Sequence, residues 1–173
     1  PMGVIATGAL LGYLHETQKS SLDHLMHIEA YETSEFMIID SSSRRNLELC
    51  ETLRDKQKKG SLLWVLDKTK TAMGARMLRN MVEQPLVDKK KIEERYDAIT
   101  TLTDQTIVRE ELREYLNPIY DLERLIGKVS YKTANPRDFI AFQSSLEMIP
   151  PIKTLLADAT CAKLKGIYTE LDT

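Results

Sequence analysis

The chain has 173 residues, with 24 Lys and Arg against 26 Asp and Glu, for a formal net charge of -2. It lacks the excess positive charge with which a segment built mainly to grip nucleic acid holds a polyanion. Its 42% hydrophobic and 29% charged residues are those of an ordinary globular domain, and no apolar run approaches the ~20 residues that cross a bilayer.

From the N-terminus, residues 6–19 predict a helix, with Leu10, Leu11 and Leu14 at helical spacing. Ser20 and Ser21 interrupt it, and Asp23 is placed to cap a short turn. Phe36-Met37-Ile38-Ile39 is short, apolar and β-branched, and reads as a buried strand. Asp40-Ser41-Ser42-Ser43 is a turn and helix start, from which Leu47, Leu49 and Leu53 continue a short helix. Residues 54–60 are polar and read as a solvated connection, while Leu62-Leu63-Trp64-Val65-Leu66 fits either a strand or a buried helix start.

Thr71 is a good N-cap for a helix whose apolar face is Met73, Met77, Leu78, Met81 and Val82, ended by Pro85. Asp88 caps the next, with Ile92, Tyr96 and Ile99 expected inward and Lys89, Lys90, Lys91, Glu93, Glu94 and Arg95 outward. A further apolar stripe runs through Val108, Leu112, Tyr115 and Leu116. It is broken at Asn117-Pro118 and resumes through Leu122, Leu125, Ile126 and Val129. Asn135-Pro136 is an N-cap followed by proline at the first helical position, and places Phe139, Phe142, Leu146 and Ile149 inward. Pro150-Pro151 are expected to end that helix, and Ile152, Leu155 and Leu156 to begin the last one. The sum is a mainly α, multi-helical bundle with one or two short strands near its N-terminal part.

The residues offer no catalytic or cofactor constellation. Gly127-Lys128, a lone Gly-Lys pair, lacks the preceding glycine of a phosphate loop and reads as a helix terminus. His24 and His27 share a helical face but have no convincing third metal ligand, and Ser41–Ser43 lie in no nucleophile elbow. Cys50 and Cys161 are far apart and read as reduced thiols. Glu93/Glu94, Glu110/Glu111 and Asp121/Glu123 alternate with basic residues, the pattern of a solvated face with weak ion pairs. Two lysine clusters, Lys56/Lys58/Lys59 and Lys89/Lys90/Lys91, are candidate phosphate contacts, weak because acidic residues flank them and no aromatics interleave. The start, Pro1-Met2-Gly3-Val4-Ile5-Ala6, lacks the features of a signal peptide, so the cytoplasm is the default compartment. Pro1 is not a natural start residue, so a fragment is expected.

Ordered stretches along the chain carry a resemblance. Phe36-Met37-Ile38-Ile39-Asp40 with Ser43-Arg44-Arg45-Asn46-Leu47-Glu48-Leu49 comes first. Leu62-Leu63-Trp64-Val65-Leu66-Asp67-Lys68-Thr69-Lys70-Thr71-Ala72-Met73-Gly74-Ala75-Arg76-Met77-Leu78-Arg79 follows, then Gln84-Pro85-Leu86. Asp121-Leu122-Glu123-Arg124-Leu125 and Asn135-Pro136-Arg137-Asp138 complete the series. Together they resemble the core domain of the bacterial MutS mismatch-repair family, and Leu10-Leu11-Gly12-Tyr13-Leu14 is similar to the helix leaving the preceding connector domain. Met81 stands where the resemblance leads one to expect tryptophan.

The resemblance implies a connector end and first core helix over residues 1–20. Residues 21–173 would be a helical core cut before the clamp insertion. It implies a non-catalytic module that links connector, clamp and ATPase domains in a parent protein and transmits signals between DNA binding and ATP state. Its motif residues would be structural or interdomain: Arg44, Arg45, Asn46, Leu47, Asp67, Thr71, Met73, Gly74, Arg76, Leu78, Pro85, Asp121, Leu122, Glu123, Arg124, Asn135, Pro136, Arg137 and Asp138. ATP and magnesium would be bound by the parent's ATPase domain and by no residue here. The parent's partners would be mismatched double-stranded DNA, a second MutS copy and a MutL-type protein, in a bacterial cytoplasm near the nucleoid, with no membrane. The alternative is a direct, sequence-blind DNA binder acting through the lysine clusters.

Overall fold

The computed structural model describes residues 2–18, 25 and 35–172, which divide into two compact units, Pro1–Thr33 and Ser34–Thr173. In the first, helix α1 (Met2–Gln18) begins four residues before the expected position. The Thr7 and Thr17 hydroxyls donate to the carbonyls of Gly3 and Tyr13, one turn back, at 2.9 and 2.8 Å. Leu11 and Leu14 are half-buried and Leu10 is exposed. The expected break at Ser20-Ser21, the Asp23 cap and the His24/His27 pair lie outside the described residues.

The second unit is mainly α. Helix α2 (Ser41–Asn46) starts where expected, because the Asp40 carboxylate accepts from the Ser43 amide at 2.9 Å and its hydroxyl at 2.7 Å. It does not continue through Leu53. Glu48 takes φ 48, a left-handed conformation that reverses the chain. The reversed segment then pairs with α3 (Leu62–Leu66): the Leu62 amide donates to the Glu48 carbonyl at 3.1 Å and Leu63 to Leu49 at 2.8 Å. Helix α3 resolves the strand-or-helix ambiguity. Ser61, almost fully buried, caps it by accepting from the Trp64 amide, and of its five residues Leu63 alone is buried.

Phe36–Ile39 is not a buried strand. Phe36 forms a single antiparallel bridge to Leu86, with the Met37 amide donating to the Pro85 carbonyl at 2.7 Å. Pro85 has no N–H to return, so the ladder cannot extend past it on that side, and Ile38 is left 88% exposed.

Helix α4 (Ala72–Glu83) is capped by Thr71, whose hydroxyl accepts from the Gly74 amide at 3.0 Å. A Cβ at Gly74 would lie 3.0 Å from that same hydroxyl, so glycine leaves room for the cap. Helices α5 (Lys89–Asp104), α6 (Thr106–Leu116), α7 (Leu122–Ser130), α8 (Pro136–Leu146), α9 (Ile149–Leu156) and α10 (Ala162–Glu170) follow. The expected proline stop is inverted at α9. Pro150 and Pro151 occupy its first turn, where the missing N–H groups have no intrahelical partner to lose. The expected last helix is therefore two, α9 and α10.

The core sits where α5, α6, α9 and α10 meet. Ile152, Leu156, Ala159 and Leu164 are buried, with Ala98, Leu102, Leu112, Tyr115, Leu116 and Tyr168 packed against them. The α6 stripe is as expected. On α5 the inward residues are Ala98 and Leu102, while Tyr96 and Ile99 are about 60% exposed, because the α5 surface facing α10 is the one carrying the small Ala98. Phe139 on α8 is likewise exposed, with Ile126 and Val129 on α7, whereas Leu125 is buried.

Candidate functional site: charged links between the helices

The motif residues meet through side-chain links between helices. The Thr71 cap sets the register of α4 and turns Arg76 toward the start of α7. Its guanidinium donates from Nη1 to Asp121 Oδ2 at 2.8 Å and from Nη2 to Asp121 Oδ1 at 2.7 Å, a two-pronged fork of the kind guanidinium and carboxylate planes favour. Nη2 also donates to Glu123 Oε2 at 2.5 Å. Asp121 is itself the N-cap of α7, accepting from the Arg124 amide at 3.3 Å. The Arg76 hydrogen bonds hold the Asp121 carboxyl below the usual carboxylate range, and the two carboxylates in turn hold Arg76 more firmly protonated.

From α7 the linkage passes to α8. Lys128 Nζ donates to Asp138 Oδ1 at 2.6 Å. Asp138 Oδ2 accepts from the Asn135 amide at 3.0 Å while the Asn135 side chain accepts from the Asp138 amide at 3.1 Å, which closes a capping box at the start of α8. The Asn135 amide and then Lys128 lower the Asp138 carboxyl. Ser145, on the far end of α8 and fully buried, accepts from the Tyr120 amide at 3.0 Å and donates to the Ala141 carbonyl at 2.7 Å, so α8 is tied to the segment before α7 as well.

The α3–α4 connection is held separately. Lys58 binds the Asp67 carboxylate, which also accepts from the Thr69 hydroxyl at 2.6 Å, and these contacts bring the Asp67 carboxyl down to about 2. Arg113 on α6 donates to the Lys68 carbonyl at 3.2 Å.

Of the motif residues, the structure joins Arg76 to Asp121 and Glu123, and Asn135 to Asp138. It sets Arg44 Nε on the Ile39 carbonyl at 2.9 Å and places Pro85 beside the β-bridge, where its carbonyl accepts from the Met37 amide at 2.7 Å. Met73, Gly74, Leu78 and Leu122 are half-buried in their helices, and Arg45, Asn46, Leu47, Arg124, Pro136 and Arg137 are exposed. Sequence reasoning missed Lys128, Ser145 and Arg113, whose partners lie in other elements. It also read Asp121 and Glu123 as a locally paired solvated face, where their partner is 45 and 47 positions away.

Three of the six candidate phosphate contacts, Lys58, Lys89 and Lys91, have carboxylate partners. Lys91 pairs with Glu35 at 3.0 Å and Lys89 with Glu93 at 3.5 Å. Among the described residues no three His, Cys, Asp or Glu side chains converge as a metal site, and no helix is long and apolar enough to cross a membrane. Gly127 and Lys128 lie inside α7 and Lys128 is taken by Asp138, so this pair does not fit a nucleotide phosphate.

The chain matches the family model MutS domain III over residues 42–172. It is 68% identical over 171 residues to the DNA mismatch repair protein MutS of Lachnoclostridium phytofermentans, a match covering 99% of this chain and 18% of the relative. The proteins of the same name from Bacillus cytotoxicus and Desulforamulus reducens are 52% identical over 164 residues and 50% over 173. Those matches cover 93% and 100% of this chain and 18% and 20% of the relatives. The chain thus spans 18 to 20% of the length of the relatives it matches.

Proposed function

Because the chain belongs to the MutS family, through a domain III that spans residues 42–172, we propose that it is a non-catalytic helical core that transmits between DNA binding and ATP state in a mismatch-repair protein. The observation that carries this reading is the Arg76 fork. It joins α4 to α7 across 45 positions of sequence, and Lys128 with Asp138 joins α7 to α8. Three helices tied end to end by directional charged bonds move together, so a displacement applied at one is delivered to the others as a rigid-body shift.

In this reading the core lies between connector, clamp and ATPase domains. ATP and magnesium are handled by the ATPase domain of the parent. The parent's partners are mismatched duplex DNA, a second copy of itself and a MutL-type protein, in the bacterial cytoplasm at the nucleoid. The lysine-cluster alternative is the weaker one, because Lys58, Lys89 and Lys91 already have carboxylate partners and the net charge is -2.

The two readings separate when the chain is titrated with perfectly paired and mismatched duplexes at moderate salt. Transmission requires no mismatch preference from this segment, and tight mismatch-selective binding overturns it. Steeply salt-dependent, sequence-blind binding lost when Lys89, Lys90 and Lys91 become Glu supports the alternative. In a full-length relative, Arg76→Ala at the matching position is expected to reduce DNA-dependent stimulation of ATP turnover and leave the unstimulated rate intact.

A further inference from the structure

A cleft of about 370 Å³ lies between α2, the reversed segment after it and α4, lined by Ser41, Arg44, Arg45, Leu49, Cys50, Glu51, Arg79 and Glu83. Three arginines and two glutamates thus line one small space. Arg44 spends its Nε on the Ile39 carbonyl and Arg79 its Nε on Glu83 at 2.8 Å. The terminal nitrogens of both, and the whole Arg45 guanidinium, have no hydrogen-bond partner among the described residues. Arg44 and Arg79 both act on Glu83 and on Cys50, which shows that their charges converge on one spot. Burial and the neighbouring Glu83 push the Cys50 thiol up to about 11, so it stays neutral and forms an uncharged part of the wall beside buried Leu49.

We propose that this cleft is a docking site for an acidic peptide segment, which seats one Asp or Glu carboxylate between Arg44, Arg45 and Arg79 and an adjoining apolar side chain against Leu49. The charge selects this occupant. The surplus of one positive charge matches a single carboxylate, whereas a doubly charged phosphate would sit beside Glu83 and Glu51 with less than its own charge in compensation. Guanidinium suits a carboxylate because it offers paired parallel donors, and the apolar wall suits a side chain next to it. This site is separate from the Arg76 linkage and stands or falls without it.

The test is a titration of the 173-residue chain, carrying isotope-labelled arginine, with a short acetylated peptide alternating Leu and Glu. The expected result is a saturable shift of the Arg44, Arg45 and Arg79 side-chain signals, absent with the Leu-Gln counterpart and weaker with inorganic phosphate. Arg45→Gln is expected to weaken binding roughly tenfold, the loss of about one charge-assisted hydrogen bond, with Arg45→Lys intermediate. Arg45 is exposed and makes no side-chain bond that folding needs, so circular dichroism melts of these variants are expected to superimpose on the original. Equal binding of the Leu-Gln peptide, tighter binding of phosphate than of the Glu peptide, indifference to Arg45→Gln, or no shift at all overturns the proposal.

Discussion

Both carboxylate oxygens of Asp121 are held by the two terminal nitrogens of Arg76, at 2.8 and 2.7 Å, across 45 positions of sequence. The same carboxylate caps α7, so one side chain positions a helix start and fastens it to α4. Substituting either partner is therefore expected to lower thermal stability through the same contact. Arg76→Ala and Asp121→Asn should each lower the melting temperature, and the double variant should lose less than the sum of the two, the mark of a shared interaction. Arg76→Lys keeps the charge without the fork and should recover only part of the loss. Thermal melts of the four variants check this. Strict additivity would show that the fork contributes nothing.

Acid sensitivity follows from the carboxylates that folding holds below their ordinary values, Asp40, Asp67, Glu83, Asp121 and Asp138 among them. Asp67, at about 2, and Asp121 and Asp138, both lowered, have folded-state values below the ordinary 3.8. Groups depressed on folding contribute stability that is complete above the unfolded value and is lost as pH falls through the folded one. The chain is therefore expected to hold its stability from neutrality to about pH 5 and to lose it between about pH 4 and 2. Replacing Asp67 with Asn should flatten the lowest part of that fall. Urea midpoints measured across this range test the window, and a loss centred above pH 6 would assign it to other groups.

Local signals were legible and long-range ones were not. Asp40, Thr71, Asp88 and Asn135 announce helix starts because capping needs only a side-chain oxygen and an amide two or three residues on. The α6 stripe of Leu112, Tyr115 and Leu116 was readable because its whole face is packed. On α5 the apolar period was real, yet Tyr96 and Ile99 stay exposed, since periodicity cannot say which neighbour a face meets. Pro150 and Pro151 misled because proline is tolerated in a first turn and forbidden in an interior one, and only the position of Leu146 decides which applies. The motif residues of the candidate site were named by resemblance. Lys128, Ser145 and Arg113 were missed because their contacts, to Asp138, Tyr120 and Lys68, span elements that no local pattern relates.

The core depends on few side chains. Leu156 is 3% exposed and sits among α5, α6 and α10. Leu156→Ala is expected to cost about 2–5 kcal/mol, transfer of the lost atoms plus the cavity left behind. Ile38→Ala, at an 88% exposed position, should change stability by less than about 0.5 kcal/mol. Chemical denaturation of both variants gives the comparison directly, and similar losses from the two would place the core elsewhere.

Ser145 is a buried hydroxyl with two partners in different segments: it accepts from the Tyr120 amide and donates to the Ala141 carbonyl. The second partner is a helix carbonyl one turn back, which already takes part in the α8 ladder. The first is different, because the Tyr120 amide lies just outside α7 and donates to this hydroxyl. Ser145→Ala removes little volume but leaves that N–H without an acceptor. The expected cost is about 0.5–1.5 kcal/mol, the net contribution of one hydrogen bond whose environment is part-buried. Ser145→Thr retains the oxygen but adds a methyl at a site with no exposed surface, so it should restore the hydrogen bond and introduce crowding. Amide exchange at Tyr120 separates the two effects: protection is expected to fall in the alanine variant and to persist in the threonine variant, even where both melt earlier. Unchanged Tyr120 protection in Ser145→Ala would mean that the hydroxyl does not hold α8 to the segment before α7.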